Sequence, residues 1–148
     1  MIDLKIVCDD EKYLPTYAND TDACMDLKAC IGENLGTTIE SGETRIIGSG
    51  IKCAIPEGYV MLMFVRSSIG IKKNLCLANG TGVIDAGYRD EIKIALHNFG
   101  ENQATIEDGE RIAQFMIIPR PKVNLTVVSD DNEFKNGDRG GGIGSTGK

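Results

Sequence analysis

Hydrophobic and polar residues alternate along two short stretches of the chain. In residues 51–55, IKCAI, the larger apolar side chains alternate with Lys52 and Ala54, and residues 91–96, EIKIAL, repeat the pattern. A period of two places successive side chains on opposite faces of an extended strand. Both stretches therefore predict β-strands with one buried and one exposed face.

Two further stretches are almost continuously apolar. Residues 59–65, YVMLMFV, and residues 112–118, IAQFMII, predict strands that are buried on both faces. The stretch 67–73, SSIGIKK, predicts one short helix. Short strands at regular spacing predict an all-β sandwich or closed barrel. Turn signals that contain glycine separate the strands at residues 40–44, 55–59, 79–82, 98–102 and 107–111.

The C-terminal segment, residues 131–148, differs in composition from the rest of the chain. It is polar, and six of the 18 glycines lie between Gly137 and Gly147, on either side of Arg139. A segment with so few apolar residues cannot offset the entropy of ordering by burial. The sequence therefore predicts a single β domain at residues 1–130 and a flexible C-terminal lid segment at residues 131–148.

Charge and composition exclude several classes of function. The net charge of −6 argues against a nucleic-acid groove, which needs a basic face. No apolar run approaches the roughly 18 residues of a membrane span, and the N-terminus carries no signal-like apolar block. We therefore expect a cytoplasmic protein, or one in the host cytoplasm if the gene is viral. Five cysteines without a C-x-x-C pair predict reduced, packed thiols, and the lone His97 argues against a histidine-rich metal site.

A cation and two hydroxyls follow the first long apolar stretch directly. Arg66 supplies a forked guanidinium, and Ser67 and Ser68 add hydroxyl and main-chain donors. Such a set at a strand end is equipped to hold phosphate oxygens. The alternative interpretation is a solvated arginine followed by two turn serines.

Asp85 interrupts an apolar run in GVIDAGYRDEI, residues 82–92. Val83 and Ile84 precede it and should pack, and Ala86-Gly87 after it predicts a turn. A carboxylate flanked in this way is partly desolvated, which raises its basicity and suits it to take a proton from water. The alternative is an aspartate that hydrogen-bonds to its own turn.

Gln114 lies within an otherwise apolar strand. A buried amide without a partner costs on the order of 1–3 kcal/mol, so a neighbouring backbone or a ligand should meet it. Arg111 faces the same way or is ordinary surface charge. Asp22 and Asp26 are four residues apart, which in a strand places both carboxylates on one face, where they could hold a hard cation such as magnesium. Spaced acids are also common on surfaces.

Five segments, taken in order, resemble the five motifs of the trimeric dUTPases, the deoxyuridine 5′-triphosphate nucleotidohydrolases. The resemblance extends from about Asp22 to Gly147, and its order and spacing make it specific. It implies a jelly-roll-like subunit, a homotrimer whose active sites are shared between chains, and Mg²⁺-assisted hydrolysis of dUTP to dUMP and pyrophosphate. The segments are ACMDLKA (23–29), RSSIG (66–70), GVIDAGYRDEI (82–92), GERIAQF (109–115) and RGGGIGSTG (139–147).

The resemblance also implies a role for each matched residue. Asp85 corresponds to the residue that orients the attacking water, and Tyr88 to the ring packed under deoxyribose. Asp26 corresponds to the acid that reaches magnesium through water. The uracil pocket corresponds to Asn79 and the hairpin that contains Gly82 and Val83. The implied phosphate and lid contacts are Arg66, Ser67, Ser68, Gln114, Arg139, Ile143, Gly144, Ser145 and Thr146.

The chain departs from the family pattern at several positions. Cys24 and Met25 stand where members usually have glycine and tyrosine, and Asp90 stands where the third motif often has glycine. Ile143 replaces the tail aromatic that stacks on uracil, and the glycine run before it is one residue short. These departures concern the base-stacking lid more than the phosphate chemistry.

Three alternatives compete with dUTP hydrolysis. The related dCTP deaminases carry a catalytic glutamate ten positions after the acid that matches Asp85, and this chain has Ala95 there. A non-catalytic nucleotide-binding regulator would be expected to lose Asp85 or Arg139. A purely structural jelly roll would need neither the Arg-Ser-Ser segment nor the tail motif. Hydrolysis is therefore favoured.

Overall fold

The computed structural model describes residues 1–32, 35–130, 134–135 and 137. These residues form antiparallel strands, one short α-helix, α1 (Ser67–Lys73), and a one-turn 3₁₀ helix (Glu11–Tyr13). The strands are β1 (Lys5–Cys8), β2 (Met25–Lys28), β3 (Gly36–Ile39), β4 (Thr44–Gly48), β5 (Ile51–Ala54), β6 (Tyr59–Val65), β7 (Leu75–Leu77), β8 (Gly82–Ile84), β9 (Lys93–Asn98), β10 (Ala104–Glu107) and β11 (Arg111–Pro119).

The strands form small sheets around one hydrophobic core. A four-stranded sheet has the order β2-β11-β6-β8, and a three-stranded sheet has the order β4-β9-β7. Two further pairs, β1-β5 and β3-β10, complete the described strands, which do not close into a barrel. Leu27, Ile94 and Ile106 come from three different sheets and share the core. The predicted all-β, jelly-roll-like sandwich is confirmed.

The alternating stretches are strands with one buried face, as predicted. In β5 the side chains of Ile51 and Cys53 are buried, whereas Lys52 is exposed. In β9 the side chains of Ile94 and Leu96 are fully buried. Each turn signal lies at a connection between consecutive strands, and the predicted helix is α1. Local pattern was sufficient here because each strand packs one face on the core.

The prediction that β6 and β11 are buried on both faces is wrong for the single chain. Met61 and Met63 of β6 are buried, but Leu62 and Phe64 on the opposite face are only half-buried. The ladder places Leu62 beside Met116 of β11 and beside Val83 of β8. Val83 is 62% exposed, so it does not pack as predicted. Leu62, Phe64 and Met116 are half-buried and Val83 is exposed, so the described chain leaves this face partly uncovered, and we call it the open apolar face.

An exposed segment follows the last strand. Residues 120–130 leave the sheet after Pro119 and form no ladder within the described chain. Val123, Leu125 and Val127 recur at every second position and are all strongly exposed. All five cysteines are free thiols, as predicted. Among the described residues, no helix has the length and apolarity needed to cross a bilayer.

Candidate active site

Asp26 is the centre of a buried charge cluster on the four-stranded sheet. Its carboxylate is held by two guanidinium groups: Nε of Arg66 lies 2.7 Å from Oδ1, and Nη1 of Arg111 lies 3.1 Å from Oδ2. Arg66 also donates to the main-chain carbonyl of Arg111 at 3.3 Å. Asp26 itself is only 6% exposed. The interpretation of Arg111 as ordinary surface charge is therefore wrong.

The local fold explains why these three side chains meet. Asp26 is in β2, Arg111 opens β11, and Arg66 follows β6, which are adjacent strands in the order β2-β11-β6. One buried carboxylate is thus matched by two guanidinium groups, which leaves an excess positive charge. Because each guanidinium has five N–H donors, donors remain for an anion after Asp26 is satisfied.

Gln114 and the two serines extend the cluster. Gln114 lies directly opposite Asp26 in one ladder and opposite Phe64 in the other, so its side chain shares the face of Asp26. Its amide has no hydrogen-bond partner among the described residues and is half-buried. Ser67 and Ser68 form the first turn of α1, whose N–H groups have no intrahelical acceptor. The structure therefore brings together five residues that the sequence analysis assigned to the site, and Arg111 joins them. The five are Asp26, Arg66, Ser67, Ser68 and Gln114.

The predicted pairing of Asp22 with Asp26 is wrong. Asp22 precedes β2 in a turn, and its carboxylate accepts a hydrogen bond from the N–H of Asn19 at 2.9 Å. The face-sharing argument fails because the strand begins only at Met25. Within the described part of the chain, no three His, Cys, Asp or Glu side chains are grouped as metal ligands.

A separate cavity of about 190 Å³ opens beside β8. Gly82 packs closely against Met63: a Cβ atom at residue 82 would lie 2.7 Å from Cε of Met63, so the methionine side chain would have to shift. None of the Asp26 cluster lines this cavity, so one chain does not bring the two groups of residues around one space. The cavity is lined by Met63, Asn79, Gly82, Val83, Ile84, Tyr88, Ile92 and Lys93.

Asp85 and Tyr88 lie on the loop between β8 and β9. The N–H of Tyr88 donates to the carbonyl of Asp85 at 3.0 Å, and its hydroxyl donates to the carbonyl of Glu91 at 2.8 Å. Arg89 closes the turn by donating to the carbonyls of Ala86 and Tyr88. Asp85 is exposed rather than partly desolvated as predicted, because β8 is an edge strand and its loop projects past the sheet.

Asp108 carries a hydrogen-bond network that the sequence did not reveal. Its carboxylate accepts from the N–H groups of Ile31 and Gly32 and from the hydroxyl of Tyr13 at 2.7 Å, and it pairs with Lys12 at 3.0 Å. Burial acts to raise the pKa of Asp108, but these donors outweigh it and hold the pKa well below its usual range. Burial, together with the bond to Asp108, raises the pKa of Tyr13 to about 12.

The Asp108 network has a consequence for the charge cluster. Asp108 lies in the turn that leads into β11, and Ile31 follows the segment that leaves β2. The network therefore fastens together the ends of the two strands that carry Arg111 and Asp26. No sequence signal could have found it, because its partners are 76 to 96 residues from Asp108.

The tail residues predicted to form a lid lie outside the described residues. They are Arg139, Ile143, Gly144, Ser145 and Thr146.

Comparisons with known proteins agree with the geometry. The dUTPase family model matches residues 10–147. The deoxyuridine 5′-triphosphate nucleotidohydrolase of Idiomarina loihiensis is 41% identical over 91% of this chain and 87% of its own length. The corresponding protein of Bordetella avium is 37% identical over 99% of this chain and 97% of its own length.

A solved structure is also similar over the full length. The Staphylococcus bacteriophage 80alpha dUTPase, determined with dUPNHPP, superposes with a TM-score of 0.84 at 27% identity, and the match covers 100% of both chains.

Proposed function

The chain belongs to the dUTPase family, and on that premise we propose that it hydrolyses dUTP to dUMP and pyrophosphate. The observation that supports this most directly is the Asp26 cluster, in which two arginines and Gln114 converge beside the first turn of α1. A set of forked cations and neutral donors suits a chain of phosphate groups, because each can contact several oxygens.

The phosphate end of the substrate would bind at this cluster. Arg66, Ser67, Ser68 and Gln114 would supply donors to the phosphate oxygens. Asp26 fixes the direction of the Arg66 guanidinium before substrate arrives, so little reorganisation is needed on binding. Arg111 shares this work from the other side of the carboxylate.

The nucleoside end would bind in the cavity beside β8. Its volume of about 190 Å³ is large enough for a pyrimidine ring. Asn79, Gly82 and Val83 would contact the base, and Tyr88 would lie against the sugar. The tight hairpin at residues 82–88 would leave no space for a thymine methyl group, and Tyr88 would leave none for a 2′-hydroxyl.

Asp85 would act as the base that orients the attacking water and accepts its proton. Its carboxylate is exposed in the single chain, so the desolvation that raises basicity would come from bound substrate and a neighbouring subunit. The water would attack the α-phosphorus, and pyrophosphate would leave toward the arginines. The C-terminal residues Arg139, Ile143, Gly144, Ser145 and Thr146 would close over the nucleotide as a lid.

Magnesium fits this site only as an outer-shell partner of the protein. Both carboxylate oxygens of Asp26 are already engaged by arginines, and a directly bound cation would compete with them. Mg²⁺ commonly reaches such sites on substrate phosphates with several waters retained, which would leave Asp26 in contact through water. When bound, the ion would neutralise charge on the triphosphate and polarise its phosphoryl oxygens.

A homotrimer would complete the site. The open apolar face of Val83, Leu62, Met116 and Phe64 is uncovered in the single chain, and the exposed segment 120–130 carries three more apolar side chains. Neighbouring subunits would cover both, and would bring the Asp26 cluster of one chain to the β8 cavity of another. Residues 1–130 would form the β domain, and residues 131–148 would form the lid.

Pyrophosphate release with each deoxynucleoside triphosphate in turn tests the proposal. With magnesium present, dUTP should be hydrolysed, whereas dCTP, dTTP and UTP should be poor substrates. Comparable turnover of dTTP or UTP would contradict the assignment of the β8 cavity to uracil and of Tyr88 to the sugar.

A further inference from the structure

Tyr88 lines two open spaces. One is the cavity beside β8, and the other is a second cavity of about 460 Å³ whose wall also includes Gly50, Lys52 and Glu91. The residue is 38% exposed. A partly exposed side chain beside two cavities is held by packing less firmly than a core side chain, because fewer atoms contact it. The hydrogen bond of the Tyr88 hydroxyl therefore contributes to the orientation of the ring.

The hydroxyl of Tyr88 bonds to the main chain at Glu91. It donates to the Glu91 carbonyl at 2.8 Å, so the position of the ring depends on the position of that carbonyl. Residues 85–91 belong to no strand, and no ladder holds Glu91 in position. The N–H of Ile92, which belongs to the same planar peptide unit as the Glu91 carbonyl, donates to the carbonyl of Ile51 at 2.9 Å and holds this unit from one side.

The side chain of Glu91 supplies a second anchor for this main chain. Its Oε1 accepts a hydrogen bond from the N–H of Gly50 at 3.0 Å, in the tight connection between β4 and β5. The connection leaves room for the carboxylate: a Cβ atom at Gly48 would lie 2.5 Å from Oε1. Gly50 has a φ of 67°, which favours glycine. The buried hydroxyl of Ser49 donates to the next carbonyl, that of Ile92, at 2.6 Å.

We propose that Glu91 is a positioning residue for sugar discrimination. Together with the bond from Ile92 to Ile51, the bond from Gly50 to the Glu91 carboxylate fixes the carbonyl that holds the Tyr88 hydroxyl, and so keeps the ring against the sugar. When the Glu91 anchor is lost, the ring can turn more easily toward the larger cavity, which makes room for a 2′-hydroxyl. The inference rests on the proposed function, because it assumes that Tyr88 faces the deoxyribose of dUTP.

The test compares kcat and KM for dUTP and for UTP in five proteins. These are the wild type, Tyr88→Phe, Glu91→Ala, Glu91→Gln and Asp90→Ala. Tyr88→Phe keeps the ring and removes only the hydroxyl bond. Glu91→Ala removes the anchor, whereas Glu91→Gln keeps an oxygen that can accept from Gly50. Asp90→Ala is the matched control, because the exposed Asp90 side chain makes no hydrogen bond among the described residues.

We expect the ratio of kcat/KM for dUTP to that for UTP to fall about three- to tenfold in Tyr88→Phe and Glu91→Ala, the range that one lost hydrogen bond gives. Most of the fall should come from a lower KM for UTP. Glu91→Gln and Asp90→Ala should keep the wild-type ratio. Rescue by glutamine separates an anchoring role from a charge effect.

An unchanged ratio in Tyr88→Phe would overturn the proposal, and so would equal losses in Glu91→Ala and Glu91→Gln. Thermal melting shows whether Glu91→Ala is folded. If it is not, the ratio of kcat/KM for dUTP to that for UTP in Tyr88→Phe decides the proposal. A wild type that does not hydrolyse dUTP would defeat the proposed function instead. In that event the preference for dUMP over UMP in equilibrium binding, measured on the same variants, decides the inference.

Discussion

Arg111 contacts Asp26 on the carboxylate oxygen that Arg66 leaves free, with Nη1 of Arg111 3.1 Å from Oδ2 of Asp26. The contact joins the first residue of β11 to the middle of β2 and buries the carboxylate almost completely. Two arginines are thereby held at defined positions before any ligand binds.

Replacing Asp26 with asparagine keeps the shape of the side chain and removes its charge. Both arginines lose their ionic partner, but each is partly exposed and can be solvated, so the loss of stability should be about 1–2 kcal/mol. The phosphate donors become less well oriented, and kcat/KM for dUTP should fall at least tenfold. Chemical denaturation and steady-state kinetics measure the two effects. Wild-type kinetics in a destabilised variant would show that Asp26 serves only the fold.

Replacing Asp85 with asparagine removes the proposed proton acceptor. General-base loss typically lowers the rate about 10² to 10⁴ fold, and kcat should fall in that range. Because Asp85 is exposed on a loop, the melting temperature should stay within about one degree of the wild type. Pyrophosphate release under saturating dUTP tests the first point and calorimetry the second. Near-normal turnover would assign the base elsewhere.

The Asp108 network predicts a pH dependence of stability. Because the pKa of Asp108 is lowered in the folded chain, its contribution is fully present above the ordinary aspartate pKa, near 3.9, and is lost as the pH falls through the lower folded value. Asp108→Asn should therefore melt several degrees below the wild type at pH 7, and the difference should narrow below about pH 4. If the wild type and Asp108→Asn differed in melting temperature by the same amount at pH 3 and at pH 7, the assignment of this pH dependence to Asp108 would be wrong.

Tyr13 provides the matching test on the alkaline side. Its pKa is raised to about 12, so the stability that depends on the neutral phenol is present below the ordinary tyrosine pKa, near 10, and is lost as the pH rises toward 12. Tyr13→Phe should lack this alkaline loss while keeping most of the packing. Thermal melts between pH 9 and pH 11 compare the two proteins.

The open apolar face predicts the oligomeric state. Light scattering should give a mass of about three times 16.0 kDa. A charge at the centre of the face, as in Met116→Asp, should dissociate the assembly and abolish activity, because buried charge in an interface is costly. Ile71→Asp, at an exposed apolar position on α1, is the matched control and should remain a trimer. A fully active monomer would contradict a shared site.

Deleting residues 137–148 tests the lid. The deletion removes Arg139, Ser145 and Thr146 but no strand of the described chain, so the trimer and its melting temperature should be almost unchanged. Catalysis should fall by orders of magnitude, because a cation that meets charge developing on the leaving pyrophosphate acts mainly in the transition state. A truncated enzyme with full activity would remove the lid from the mechanism.

The sequence predicted those elements whose signals are local. Alternation in β5 and β9, the turn glycines and the short helix were all confirmed, because each depends on residues within a few positions of one another. The prediction that the second face of β6 is buried was wrong for the single chain. A continuous apolar run does not show whether the residues that cover a strand come from the same chain or from another. The Asp22–Asp26 pair failed because spacing defines a shared face only after the strand has begun.

The parts of the candidate site that the sequence missed are all long-range contacts. The residues next to Arg111 in the sequence allowed two interpretations, a site residue or an ordinary surface charge. Only the pairing of β2 with β11 places Arg111 on Asp26. Asp108 and Glu91 carry no local sequence signal that sets them apart from other acidic residues in turns and loops. Their partners, Ile31 and Gly50, lie 77 and 41 residues away, and only the folded topology brings them near.

The exposed segment 120–130 makes a newly synthesised subunit prone to aggregation before it assembles. Val123, Leu125 and Val127 are strongly exposed at every second position of a segment that joins no ladder within the described chain, and such a segment is a template for pairing with strands of other chains. Lys122 and Pro121 at its start weaken that tendency without removing it. The refolding yield should therefore depend on the relative rates of correct assembly and of aggregation. Subunits that are dilute or slowly synthesised should depend most on chaperones.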